Sequence, residues 1–79
     1  MNLGIKRYIK QKQIDRFTLA IVELNGSNLY AIMVLDGDWI RHAQCYWVTT
    51  HEVWKVIMRN YNSVKKRLLQ KDFSILEDY

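Results

Sequence analysis

The side chains able to do acid–base, nucleophilic or metal chemistry are Cys45, His42, His51 beside Glu52, and the pair Asp36 and Asp38 around Gly37. A catalytic site needs at least two such groups converging on one reacting atom. His42 and Cys45 lie an odd number of positions apart on one expected strand, so their side chains point to opposite faces and form no Cys–His pair. Glu52 serves a helix start, His51 an exposed position, and Asp36 and Asp38 a turn, where Asp is favoured without any ion. One thiol and two separated histidines build no zinc site, and no phosphate loop, dinucleotide fingerprint or nucleophile elbow is present. The sequence therefore points away from an enzyme, and no cofactor or metal is expected.

Binding chemistry is better represented. Lys6, Arg7, Lys10, Lys12 and Arg16 crowd the first sixteen residues against Asp15 alone, and Lys55, Arg59, Lys65, Lys66, Arg67 and Lys71 follow later; with Arg41, the 12 basic residues against 8 acidic ones give a formal net charge of +4. Segregated charge of this kind suits an anionic partner, either nucleic acid or an acidic protein face. The same runs also serve as solvated helix faces. Single-strand binders combine a basic groove with aromatic platforms, and Tyr30, Trp39, Tyr46 and Trp47 lie near Arg41, although the same aromatics suit a small core. Exposed Trp and Arg are also the residues enriched at protein-interface hot spots. Trp39, Arg41, Lys55, Arg59 and Lys66 are the expected partner contacts.

The elements that must carry these residues follow from turns and periodicity. Asn25-Gly26-Ser27-Asn28 separates the apolar runs 17–24 and 29–35, and Asp36-Gly37-Asp38 precedes a third run, 39–48. Asn-Gly is among the strongest hairpin signals, so the three runs read as an antiparallel meander. The first two runs are apolar at almost every position, as strands covered on both faces are. The third alternates, with Trp39, Arg41, Ala43, Cys45 and Trp47 on one side and Ile40, His42, Gln44, Tyr46 and Val48 on the other. Thr49 with Glu52 reads as a capping box opening a long helix. That helix buries Val53, Ile57, Tyr61, Val64 and Leu68 and exposes Lys55, Arg59, Asn62, Lys66 and Gln70. Ile5, Tyr8, Ile9 and Lys12 fit a short N-terminal helix, while Ile5, Arg7, Ile9 and Gln11 also fit a strand; the helix is favoured. Phe73, Ile75 and Leu76 would add an edge strand or tuck under the sheet. The expected fold class is α+β: a three-stranded antiparallel meander with a long C-terminal helix packed on one face and a short N-terminal helix.

Length and composition bound the rest. A chain of 79 residues is expected to form a single domain, and its 49% hydrophobic content argues for a folded core. The lone cysteine fits a reducing cytoplasm, and neither an export signal nor a membrane-spanning stretch can be read. An open sheet edge would let two copies pair as a homodimer.

The segment AIVELNGSNLY, the turn and strand DWIRHAQCYWV after it, and the capped helix together resemble the layout of small phage-encoded anti-CRISPR proteins. The resemblance covers about residues 17 to 58 and departs at the basic N-terminus and the long helix; it carries over no functional residue. It implies a compact, non-enzymatic inhibitor that blocks a host nucleoprotein complex by covering a protein or ribonucleoprotein surface. The alternative is a small basic nucleic-acid-binding protein, whose affinity would fall steeply with salt.

Overall fold

In the computed structural model, which describes residues 4–76, four strands precede one helix: β1 (Ile5–Ile14), β2 (Phe17–Leu24), β3 (Leu29–Asp36), β4 (Trp39–Trp47) and α1 (His51–Leu69). Three turns set this order. Asp15 takes a left-handed φ of +58° between the paired residues Ile14 and Phe17. In the second turn Gly26 and Asn28 take positive φ, and in the third Gly37 does so beside the Asp36–Trp39 pair. Asp and Asn tolerate that region through local side-chain hydrogen bonding, and Gly through its missing Cβ. All neighbours in the β1-β2-β3-β4 sheet are antiparallel.

The expected short N-terminal helix is therefore corrected to a ten-residue edge strand, and the three-stranded meander to four strands. The reason lies in two register shifts, between Ile5 and Arg7 and between Tyr8 and Lys10. Each bulge inserts one residue and reverses the side-chain alternation. The apolar residues Ile5, Tyr8 and Ile9 consequently fall at helical spacing while sitting on a strand. Basic side chains along β1 also suit an edge, where Lys discourages pairing with a further strand.

The helix packs across one face of the sheet. Ile57, Tyr61, Val64 and Leu68 meet Ile14, Phe17, Leu19, Ile21, Ile32 and Val34 in the main core, with Tyr30, Tyr46, Trp54 and Met58 at its margin. The aromatic edge of the contact is ordered: Tyr30 and Trp54 rings lie 4.8 Å apart in an edge-on arrangement. Asn60 donates to the Tyr46 hydroxyl at 2.7 Å, tying α1 to β4. The expected capping box does not form. The helix begins at His51, Thr50 is its N-cap without a side-chain hydrogen bond, and Glu52 instead meets Lys55 at 3.4 Å. After α1 the chain turns back with Lys71 at positive φ. Phe73 lies 5.4 Å from Phe17, and Ile75 and Leu76 tuck against the main core rather than forming a strand.

The other face of the sheet carries a second, smaller cluster of Ala20, Val22, Ala31, Met33 and Leu35, against which Ile5, Leu24 and Ile40 pack. All of these residues belong to the four strands, and among the described residues no element lies over them. They are buried all the same, Ala20, Val22 and Ala31 at 0% and Met33 and Leu35 at 4%, so β2 and β3 are covered on both faces as their near-continuous apolar runs imply.

Candidate interaction surfaces

The sheet register sorts the charged residues by side. Glu23, on the helix side through its pairing with Tyr30, takes Arg7 at 2.6 Å and Lys6 at 3.6 Å. The Arg7 hydrogen bond, opposed by desolvation and helped by the Lys6 charge, holds the Glu23 carboxyl below its ordinary range. Lys10 pairs with Ile21 on the same side, and its ammonium sits 5.5 Å from the centre of the Tyr61 ring. Asp36 takes Arg16 at 3.2 Å and Arg41 at 3.7 Å. Within the four strands, every Asp, Glu, Lys and Arg is directed to the helix side.

Trp39 and Arg41 are brought together. A register shift in β4, between the residues facing Val34 and Leu35, makes Arg41 the inserted residue and turns it to the same side as His42. Its guanidinium lies 5.0 Å from the Trp39 ring centre and 5.8 Å from that of Phe17. The Arg41 side chain is only 11% exposed, whereas Trp39 remains 45% exposed. Trp39 is thus the surface group and Arg41 the cation that seats it. Arg16, Arg41, Phe17, Phe73, Leu76 and Asp15 line a cleft of about 440 Å³ beside this stack.

Lys55, Arg59 and Lys66 do not join that stack. They form a separate exposed stripe with Asn62 along the outer face of α1, spanning roughly 16 Å at the helical rise per residue. Glu52 meets Lys55, while Arg59 and Lys66 have no ion-pair partner among the described residues. The stripe lies opposite the buried residues Ile57, Tyr61, Val64 and Leu68.

The sheet face opposite α1 is of a different kind: buried at its centre, and exposed along β1 and β4. Register places Tyr8, Val22, Ala31 and Cys45 in one row across it and Gln11, Ala20, Met33 and Ala43 in the next. Leu29 and Trp47 form a further pair at the end of the same face. Its polar side chains are Gln11, Gln13 and Thr18, the last donating to Gln13 Oε1 at 2.9 Å. Trp47 is 71% exposed and Tyr8 45%. Sequence reasoning named Trp47 only as one aromatic among several. The signal that would have singled it out is Ala43, Cys45 and Trp47 at period two with no charge among them, which a solvent-exposed strand edge does not ordinarily show.

The four aromatics grouped in the sequence divide accordingly. Tyr30 and Tyr46 pack on the core, Trp39 is exposed on the helix side, and Trp47 is exposed on the opposite side. They therefore make no single stacking platform. His42 and Cys45 face opposite sides, as their spacing requires. Among the described residues no three His, Cys, Asp or Glu side chains gather as a metal site, and no helix is long and apolar enough to cross a membrane. The chain matches no protein-family model, no curated protein and no solved structure.

Proposed function

We propose that the protein is a small non-enzymatic inhibitor or interaction protein of the phage anti-CRISPR kind, which blocks a host nucleoprotein complex by covering an acidic protein or ribonucleoprotein surface. The observation that carries this reading is the exposed cationic stripe Lys55, Arg59 and Lys66 on α1, outward-facing and opposite the core-packed side of the helix. Such a stripe steers association with an acidic face and sets the on-rate. Trp39, seated on Arg41, supplies an apolar anchor of the type found at hot spots. The resemblance of residues 17 to 58 to anti-CRISPR layouts adds the class of target.

Sequence-independent nucleic-acid binding would use the same cations against phosphates, but it draws its base-stacking from a shared aromatic platform. Trp39 and Trp47 on opposite sides of the sheet do not supply one.

The reading is tested by pull-down of tagged protein from a bacterial lysate, with and without nuclease, beside a doubly reversed variant, Arg59→Glu with Lys66→Glu. A protein partner retained after nuclease by the wild type and lost by the folded variant supports it. Retention of nucleic acid alone, lost on nuclease treatment, replaces it with the nucleic-acid reading.

A further inference from the structure

We infer that the ledge between β1 and the near flank of α1, lined by Lys10, Lys12 and Lys65, seats the phosphate backbone of a nucleic-acid duplex. The ledge exists because α1 packs chiefly on β2 and β3, with Ile14 the one β1 residue in the main core. Lys10 and Lys12, paired with Ile21 and Leu19, stand on the helix side and are exposed.

The two flanks of α1 are told apart by their neighbours. Lys10 Nζ lies 5.5 Å from the centre of the Tyr61 ring, so that flank borders β1, while Asn60, Ser63 and Arg67 share a polar pocket with His42 and Gln44 of β4. Lys65 follows Tyr61 by one turn, about 5.4 Å, and Lys12 follows Lys10 by about 7 Å of strand. An ion pair of Lys71 with Asp15 at 3.6 Å ties the end of α1 to the β1–β2 turn. Both steps therefore run the same way, and the three lysines form one cluster.

Acids neutralise the cations at either end of the ledge, since Glu23 holds Lys6 and Arg7 and Asp15 holds Lys71. Between them Lys10, Lys12 and Lys65 have no ion-pair partner among the described residues. On the β4 flank Arg67 lies 4.0 Å from Asp72. Lysines gathered on one flank without counter-charges complement an anion.

Residue type selects the polyanion. Protein interfaces are depleted in Lys and enriched in Arg. The planar fork of Arg matches carboxylates, whereas Lys is a hydrated point charge suited to a row of phosphates. A splayed single strand needs exposed aromatic rings for its bases, and Tyr61, the aromatic side chain bordering the ledge, is fully buried. The backbone of a paired segment makes no such demand, because phosphate contacts position a protein without reading bases. The inference goes beyond the proposed function and uses none of its contact residues: a ribonucleoprotein would meet the α1 stripe with its protein and the ledge with its duplex.

Fluorescence anisotropy of a labelled duplex DNA of mixed sequence, titrated with the full chain between about 50 and 200 mM salt, tests this without the partner. Each neutralised phosphate contributes about −0.9 to the slope of log affinity against log salt, so the three lysines supply about −2.7. Lys10→Gln with Lys12→Gln is expected to weaken binding about tenfold at the lower salt and to flatten the slope by about 1.8, and Lys65→Gln to flatten it by about 0.9. Arg67→Gln, a loss of one positive charge on the β4 flank, is expected to change neither, and circular dichroism shows whether each variant is folded. Absence of binding by the wild type at the lower salt overturns the inference, as does an equal loss for Arg67→Gln. Poly-L-glutamate bound as tightly as the duplex would overturn it in favour of an acidic protein, and tighter binding of a single-stranded oligonucleotide in favour of unpaired nucleic acid. The α1 stripe is intact in the ledge variants, so partner capture and duplex binding can fail separately.

Discussion

The guanidinium of Arg41 lies 5.0 Å from the centre of the Trp39 ring and 3.7 Å from Asp36, and it reaches this position through a bulge. Were β4 paired in strict alternation without the bulge, the order running back from Trp47, Cys45 and Ala43 would carry Arg41 and Trp39 to the charge-free face. One extra residue thus keeps a cation off the apolar side and assembles the stack on the helix side.

That stack has a measurable coupling. Cation–aromatic pairs contribute about 0.5 to 2 kcal/mol, more as they are withdrawn from water. A double-mutant cycle with Trp39→Ala and Arg41→Ala in urea unfolding is expected to return a coupling of about 1 kcal/mol. Strict additivity of the two losses would show that Trp39 is not seated on Arg41.

Tyr61 is fully buried, and its hydroxyl has no hydrogen-bond partner among the described residues. An unsatisfied buried hydroxyl costs about 1 to 3 kcal/mol. Tyr61→Phe is therefore expected to stabilise the fold by about 1 kcal/mol, raising the melting temperature by roughly 4–8 °C. Burial also pushes the phenol above its ordinary pKa. The folded state then resists ionisation, so wild-type stability falls as pH rises above the unfolded value near 10, and the gap to Tyr61→Phe should widen there. A less stable variant would show that the hydroxyl is satisfied in solution.

Glu23 titrates in the opposite sense. Its folded pKa is depressed, chiefly by the Arg7 hydrogen bond, so its contribution is present above the unfolded carboxylate value and is lost as pH falls through the folded one. Thermal melts of wild type and Glu23→Gln should differ most near neutrality and converge in acid below the ordinary glutamate range. A gap that stays constant with pH would remove the ion pair from the account.

The helix–sheet contact should dominate stability. Ile57 is fully buried, while neighbouring Val56 is 37% exposed. Ile57→Ala is expected to cost about 2 to 5 kcal/mol through lost burial and a cavity. Val56→Ala, away from the core, should change stability by less than about 0.5 kcal/mol. Urea denaturation compares them, and equal effects would mean that α1 is seated differently.

These residues also show what the sequence could disclose. The Asn25-Gly26 and Gly37 turns and the buried stripe of α1 were legible because turn chemistry and helical period act locally. The strand nature of residues 5–14 was not, because two bulges reverse the alternation on which a strand is recognised. The sides taken by Trp39 and Arg41 were hidden for the same reason: a bulge is fixed by pairing across the sheet. Lys55, Arg59 and Lys66 were legible as an exposed stripe, since helical period alone places them. The charge-free face became visible only when the register put residues from four strands side by side.

The most direct test of the central claim is the affinity for the partner captured in the pull-down, measured at physiological salt for wild type, Arg59→Glu with Lys66→Glu, and Trp47→Glu. The expected result is at least a tenfold loss for the reversed helix face, equivalent to about 1.4 kcal/mol, with Trp47→Glu changing the affinity little. An unchanged affinity for the folded helix-face variant would contradict the proposed function.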